Sequence, residues 1–307
     1  MQGINNGGMQ RKIVYLINPI SGTKDKGALI ALIKRNTVNS GIPFIIENTD
    51  AAGKYDFLIP LIDKEKITDV VVCGGDGSVN QVAAALQGIN VNIGIIPMGS
   101  GNGLAYAAKI PMDVEKALQI IFTGAGSFID SFQINKQFSC MLCGLGFDAQ
   151  VAHDFAKQPT RGLLSYAKQT VKNFISAKTF PFTIIEKTTE IKTHAYFISI
   201  ANSNQFGNNV RIAPQASLND GLLDVVVVNK MSKLKMLYKL LVQIKLGQVI
   251  PFSKKTFRKQ DIHYFQTNRL TILNPGNAPL HIDGEPCAFA NNYEIEMIPN
   301  SFKLLQP

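Results

Sequence analysis

The run Val70-Val71-Val72-Cys73-Gly74-Gly75-Asp76-Gly77-Ser78-Val79-Asn80 leaves this chain few ways to fold. Four small apolar residues that stop at a glycine pair read as a buried strand, and Ser78 can cap a helix over Val79 to Leu86. Glycines let the backbone take positive φ and approach a ligand closely, while the first N–H groups of the helix offer partial positive charge to an anion. The unit therefore has the shape of a phosphate-binding turn. Asp76 falls at the strand's carboxyl end, where open α/β sheets place their ligands. An acid among such amides points to metal binding or water positioning. A tight strand-to-helix turn with a polar tip is the plainer alternative.

The same arrangement recurs along the first half of the chain. A strand over Lys12 to Ile17 runs into Asn18-Pro19-Ile20-Ser21-Gly22-Thr23, and a helix from about Lys26 to Val38 carries Leu29, Ile30, Leu32 and Ile33 as its apolar stripe. Ile42 to Glu47 forms the next strand and leads into Asn48-Thr49-Asp50-Ala51. Tyr55 to Lys66 has a helical pattern but holds Pro60, so that helix must kink or begin late. Asn92 to Ile96 is a further buried strand, ending in Pro97-Met98-Gly99-Ser100-Gly101-Asn102-Gly103, with helices over Leu104 to Lys109 and Val114 to Phe122. Polar turns after successive strands predict a parallel sheet whose loops converge on one edge, and a nucleotide is the natural occupant.

Past Gly124 period-2 strands with short turns replace the alternation of strand and helix. Phe128 to Ile134 and Gln137 to Gly144 flank Asn135-Lys136 as a hairpin, and Phe182 to Glu186 and His194 to Ala201 flank a second turn. Helical patterns cover Phe147 to Gln158 and Leu163 to Ala177. Asp224 to Val228, Lys255 to Gln266, Arg269 to Leu273, Pro279 to Ile282 and Glu294 to Ile298 complete an antiparallel set. The expected fold is an α/β nucleotide-binding domain with a parallel sheet, followed from about Ser127 by a β-rich antiparallel domain. Ser232 to Gln248 reads as a basic amphipathic helix, which can lie on an anionic membrane or pack its apolar side on its own domain.

A chain of 307 residues has room for about two domains. Its formal charge of +9 favours anionic partners such as nucleotides, nucleic acid or acidic lipid surfaces. The lysines are scattered rather than interleaved with aromatics, which argues against nucleic acid. No apolar run approaches the roughly 18 residues of a membrane span and the first ten residues lack a signal-peptide core, so a cytoplasmic protein is expected. Cys73, Cys140, Cys143 and Cys287 read as buried thiols, because no second pair or histidine cluster follows the Cys140-x-x-Cys143 spacing at zinc-ligand distance.

Taken together, Asn18-Pro19-x-Ser21-Gly22, Gly74-Gly75-Asp76-Gly77-Ser78-x-Asn80, Pro97-x-Gly99-Ser100-Gly101-Asn102, Gly144-x-Gly146-Phe147-Asp148-Ala149, Asp220-Gly221-x-Leu223-Asp224 and Asp283-Gly284-Glu285 resemble the diacylglycerol kinase catalytic-domain family, which includes bacterial lipid kinases and the sphingosine and ceramide kinases. The motifs stand in family order and span nearly the whole chain. The resemblance implies an α/β ATP-binding domain over 11–127, a β-sandwich-like domain over 128–290, an active site in the cleft between them, and a C-terminal segment, 291–307, that rejoins the first domain. It implies ATP phosphates against Asn18, Pro19, Ser21, Gly22, Gly74, Gly75, Asp76, Gly77, Ser78, Asn80, Gly99, Ser100 and Asn102, with Thr49 nearby and Arg161 as a basic partner. It makes Glu285 the proton acceptor with Asp283 supporting it, and Asp76 a holder of Mg2+ directly or through water. Asp148 would face the lipid headgroup, and a structural Mg2+ would take the Asp220 carboxylate and the backbone carbonyls of Ser217 and Leu222, hard oxygen ligands that suit the ion. His153, His194, His263 and His281 match no family motif and read as structural.

The chain departs from the common pattern in places. Ser78 stands where Thr is frequent, Gln81 where Glu is usual, and Gly53-Lys54-Tyr55 where Gly-His-Ala is often seen. The reading that follows is an ATP- and Mg2+-dependent kinase of a lipid hydroxyl, peripheral to the membrane. An NAD kinase-like enzyme, which shares Gly-Gly-Asp-Gly, and a catalytically silent lipid- or nucleotide-binding regulator are the rivals. The shape of an apolar pocket rather than any motif sets the lipid, and a homodimer is one open state of assembly.

Overall fold

In a computed structural model, which describes residues 10–21, 25–50, 52–158, 163–207, 210–235 and 261–307, the apolar runs of the first half are strands buried along their length. Contacts divide the chain into two units, Met1–Ile129 with Asn300–Pro307 and Asp130–Pro299.

The first unit contains β1 (Ile13–Ile17), α1 (Lys26–Asn39), β2 (Phe44–Asn48), α2 (Leu58–Glu65), β3 (Asp69–Gly74), α3 (Asp76–Ala85), β4 (Asn92–Pro97), α4 (Gly103–Ala107) and α5 (Val114–Thr123). The strands pair in parallel in the order β2-β1-β3-β4, with Lys303 and Leu304 adding beyond β4. Every residue of β1 and β3 is buried, as expected of central parallel strands covered on both faces, while β2 is a half-exposed edge. Ile13, Tyr15 and Ile17 of β1 pack with Val71 and Cys73 of β3, Leu29 and Ile33 of α1, and Leu118 and Ile121 of α5. Pro60 is the third residue of α2, so the helix begins late, where a missing N–H costs nothing.

One local expectation is corrected. α3 starts at Asp76 with Gly75 as its N-cap and no side chain capping it, so Ser78 lies inside the first turn rather than before it. An extended glycine ends the strand without needing a capping side chain.

The chain enters the second unit within β5 (Ala125–Ile134). There follow β6 (Gln137–Ser139), β7 (Leu142–Gly146), α6 (Phe147–Ala156), α7 (Leu163–Ser176), β8 (Phe180–Glu186), β9 (Thr189–Ala201), β10 (Gln205–Gly207), β11 (Val210–Arg211), β12 (Leu223–Asn229), β13 (Ile262–Thr267), β14 (Arg269–Leu273), β15 (Leu280–Ile282), β16 (Glu285–Cys287) and β17 (Asn292–Gln306). Antiparallel ladders run β16-β15-β7-β9-β8-β14-β17, and β12 joins β9 to β13. Their inner faces close on one core that includes Phe132, Phe182, Ile198, Val225, Ile272 and Tyr293. The β5–β6 hairpin turns at Asn135 and Lys136, both at positive φ, as a type I′ turn requires.

β9 is longer than its apolar half suggests: it starts at Thr189, because a two-residue turn at 187–188 pairs Glu186 with Thr189. Residues 292–296 of β17 pair with β14, so the stretch of the C-terminus that belongs to the first unit begins at Asn300. Gly22, Arg161, most of the expected Ser232 to Gln248 helix and residues 255–260 lie outside the described residues. Among the described residues no helix is long and apolar enough to cross a membrane. All four cysteines are thiols, but Cys287 is only half-buried where a buried one was expected; burial pushes Cys73 and Cys143 well above the usual range.

Candidate active site

Parallel pairing puts the carboxyl ends of β1, β3 and β4 side by side, and the turns that follow are stitched together. Asn18 N–H donates to the Cys73 carbonyl and Met98 N–H to the Gly74 carbonyl, at 3.0 and 2.9 Å. The Asn18 side chain spans the first two turns, its Nδ2 donating to Ser78 Oγ at 2.8 Å and its Oδ1 accepting from Ile20 N–H at 3.0 Å. Gly75 and Gly99 bring the second and third turns into backbone contact: a Cβ on Gly99 would stand 2.5 Å from Gly75 Cα. Only glycine permits that approach. Asn102, in the left-handed region at φ 51°, accepts from Gly99 N–H at 2.9 Å and donates to its carbonyl at 2.8 Å, closing the third turn on itself. Asp76 Oδ1 accepts from Leu104 N–H at 3.4 Å. Pro19 and Ser100 are exposed, Gly77 and Asn80 half-buried on α3, and Thr49 N–H donates to the Ile17 carbonyl.

Lys26, in the first turn of α1, donates from Nζ to the Ser21 carbonyl and approaches Ser21 Oγ at 3.4 Å. The sequence reading passed over this cation; its signal was a lysine opening the helix that follows the Asn-Pro-x-Ser-Gly turn. Two departures from the family pattern also meet here. Gly53 sits at φ +72° and a Cβ on it would press on Gln81 Nε2 at 3.1 Å, so Gln81 lies against the turn that replaces Gly-His-Ala.

In the second unit Asp283 and Gly284 form a two-residue hairpin turn, both at positive φ, that pairs Ile282 with Glu285. Asp283 is buried, and its carboxylate accepts from Ser139 Oγ at 2.6 Å, Leu142 N–H at 2.9 Å, and Cys140 and Met141 N–H at 3.2 Å each. Burial raises its pKa, and those donors oppose the rise. Its lone pairs are committed to the 139–142 loop, so Asp283 fixes the turn. Glu285, next on the strand, is exposed. Asp148, in the first turn of α6, is buried, with Oδ1 accepting from Ala149 N–H at 2.8 Å.

The 217–222 loop offers oxygen in the form that a hard cation takes. Asp220 is exposed, its Oδ1 accepts from Leu222 N–H at 3.1 Å, and Ser217 Oγ donates to Asn219 Oδ1 at 3.0 Å. Buried Asp130, which the sequence reading did not single out, accepts from Gly221 N–H at 2.7 Å. Desolvation raises the Asp220 pKa and the Asp130 charge adds to it, a crowding of negative charge that a divalent cation would relieve. Among the described residues no three His, Cys, Asp or Glu side chains form a ligand cluster, so any cation here relies on backbone carbonyls.

Asp224 gives a measurable pH effect. It is fully buried opposite Gln266, whose Nε2 is 3.3 Å from Oδ2, and burial lifts its pKa from 3.8 to about 7. A carboxyl raised on folding binds its proton more tightly in the native state, so its contribution is complete below pH 3.8 and lost as pH rises through about 7. In chelator buffer, the melting temperature is expected to fall between those limits by the equivalent of a few kcal/mol on the order of the shift. Asp224→Asn should flatten that profile; an unchanged slope refutes the assignment.

Comparison with known proteins bears on both units. Residues 12–134 match the family model of the "Diacylglycerol kinase catalytic domain", and residues 142–306 that of the "YegS C-terminal NAD kinase beta sandwich-like domain". The "Diacylglycerol kinase" of Bacillus subtilis is 25% identical over 292 residues, covering 92% of this chain and 93% of its own. A Yersinia enterocolitica protein named "Probable lipid kinase YegS-like" is 26% identical over 248 residues, 78% of this chain and 79% of its own. A crystal structure of a diacylglycerol kinase from Bacillus anthracis, 17% identical, aligns with a TM-score of 0.70 over 97% of each chain, a likeness of fold.

Proposed function

The chain belongs to the lipid kinase family in which a diacylglycerol kinase catalytic domain precedes a YegS-type C-terminal domain, and from that premise we propose that it transfers the γ-phosphate of ATP to a hydroxyl of diacylglycerol or a related lipid. The observation that carries the reading is the joining of the three turns at residues 18–21, 74–78 and 97–102 through Asn18–Ser78 and the Gly75–Gly99 contact. Backbone amides at the start of α3 and the Lys26 ammonium supply positive charge for a polyphosphate. Phosphoryl transfer asks little covalent chemistry of a protein beyond orientation and charge neutralisation. Glu285 accepts the proton of the lipid hydroxyl, Asp283 holds the turn that presents it, and Asp148 orients the headgroup. Asp76 would hold Mg2+ in this reading, and Asp220 with the Ser217 and Leu222 carbonyls a structural one; bound magnesium would neutralise phosphate charge. The lipid is met from the membrane surface, and the +9 formal charge favours an acidic one.

The test is transfer of radiolabel from ATP, with Mg2+, by the purified chain to a panel of diacylglycerol, sphingoid base, ceramide and polyprenol in mixed micelles. Label in one lipid class, dependent on Mg2+, is expected. Phosphorylation of NAD instead, or tight ATP binding with no labelled lipid, refutes the reading.

A further inference from the structure

A polar row crosses the face of the second unit's sheet that lies away from its core. Ser199 on β9, Gly144 on β7 and His281 on β15 are register partners. Their neighbours Ile198, Ile200, Cys143, Leu145, Leu280 and Ile282 fill the core, so these three face the opposite way, where α6 packs. The place of a side chain at Gly144 is already taken: a Cβ there would overlap the Asp148 carboxylate and stand 2.5 Å from His281 Nε2. Thus the glycine of the Gly-x-Gly-Phe-Asp-Ala run is the gap through which Asp148 and His281 meet.

Both groups are buried. Asp148 Oδ2 lies 3.4 Å from His281 Nε2 and makes no hydrogen bond within the described residues. On the opposite edge of the ring, Nδ1 accepts the Gly284 N–H at 3.2 Å, inside the Asp283-Gly284 turn. The Nδ1 that accepts carries no proton, so the ring N–H sits on Nε2, the nitrogen 3.4 Å from Asp148 Oδ2.

We propose that His281 is a positioning residue that sets the headgroup acid Asp148 and the Glu285 hairpin in fixed relation through one imidazole. The proposal rests on the roles given to Asp148 and Glu285 in the lipid kinase reading. The contacts with Asp148 and Gly284 can be removed separately, because asparagine places an amide oxygen near the Nδ1 position and glutamine reaches toward Nε2.

His281→Asn should keep the turn and lose the contact with Asp148, raising KM for the lipid about tenfold with kcat little changed. His281→Gln should release Gly284 and let Glu285 drift, lowering kcat by up to about a hundredfold, the scale of an ångström's misplacement. Both are assayed by steady-state transfer to the lipid that the panel identifies, alongside thermal melts, and the wild-type His281 tautomer is read from imidazole 15N shifts. Two variants with the same kinetic pattern, activity that merely follows the melting temperature, or no change in either variant overturns the proposal. A proton found on Nδ1 while lipid transfer proceeds overturns the positioning role and leaves the kinase reading standing. Absence of lipid transfer by wild type, with the proton on Nε2, overturns the kinase reading and the positioning role with it.

Discussion

Glu285→Gln is expected to lower lipid phosphorylation by two to four orders of magnitude, roughly the range of a positioned general base, with the melting temperature unmoved. Glutamine keeps the size of the side chain and loses only the ability to take a proton, and an exposed residue on a short edge strand has little packing to lose. Asp283→Asn should do the reverse. One of its oxygens becomes an NH2 group facing backbone N–H groups of the 139–142 loop, and leaving such buried donors unmet costs about 1–3 kcal/mol. Activity in that variant falls with the folded fraction. Paired assays of transfer and thermal unfolding separate the two acids of one motif. If Glu285→Gln retains near wild-type transfer while Asp283→Asn is fully folded and inactive, the roles are exchanged and the present assignment fails.

The first unit was legible because its signals are local. Continuous apolar runs ended by glycine turns say parallel strand and loop, and direction alone then gathers the turns at one edge. Where local signals mislead, the reason is visible in particular residues. Ser78 looks like a cap, but Gly75 ends the strand by backbone conformation and leaves the serine to receive Asn18. The polar alternation of Thr189-Glu190-Ile191-Lys192 hides the outer half of β9, which exists because β8 offers it a partner. In the second unit the decisive contacts are long-range. Asp130 reaches the metal-type loop 91 residues away, and nothing around it in sequence marks it. His281 read as structural because its meaning depends on an empty Cβ position at Gly144, supplied by strand register. The commitment of Asp283 to the 139–142 loop left no local mark, because its donors lie at least 141 residues away in sequence.

The largest stability effect is expected from Arg11→Ala. Arg11 and Asp69 are buried and paired at 3.0 Å, at the amino-terminal end of β3, and the guanidinium also donates to the Ile121 and Phe122 carbonyls at 2.8 Å, in the last turn of α5. Asp69 completes its shell with Thr68 Oγ1 at 2.7 Å and Asn92 Nδ2 at 2.9 Å, so one ion pair ties the start of β3, β4 and a helix end. Removing the arginine leaves a buried carboxylate without its counter-charge and two helix-end carbonyls without donors, which costs about 3–5 kcal/mol. Arg11→Met with Asp69→Leu removes both charges together and should recover only the part of the loss due to the uncompensated carboxylate, since the helix-end carbonyls and the Thr68 and Asn92 donors stay unmet. Denaturant melts give the stabilities, and ATP titration of the folded protein gives the second readout. Because this pair sits at the opposite strand ends from the turns at 18–21, 74–78 and 97–102, the folded fraction of Arg11→Ala should bind ATP with wild-type affinity. A variant that melts like wild type, or one that stays folded yet loses ATP, would show that the two ends of the sheet do not divide the work in this way.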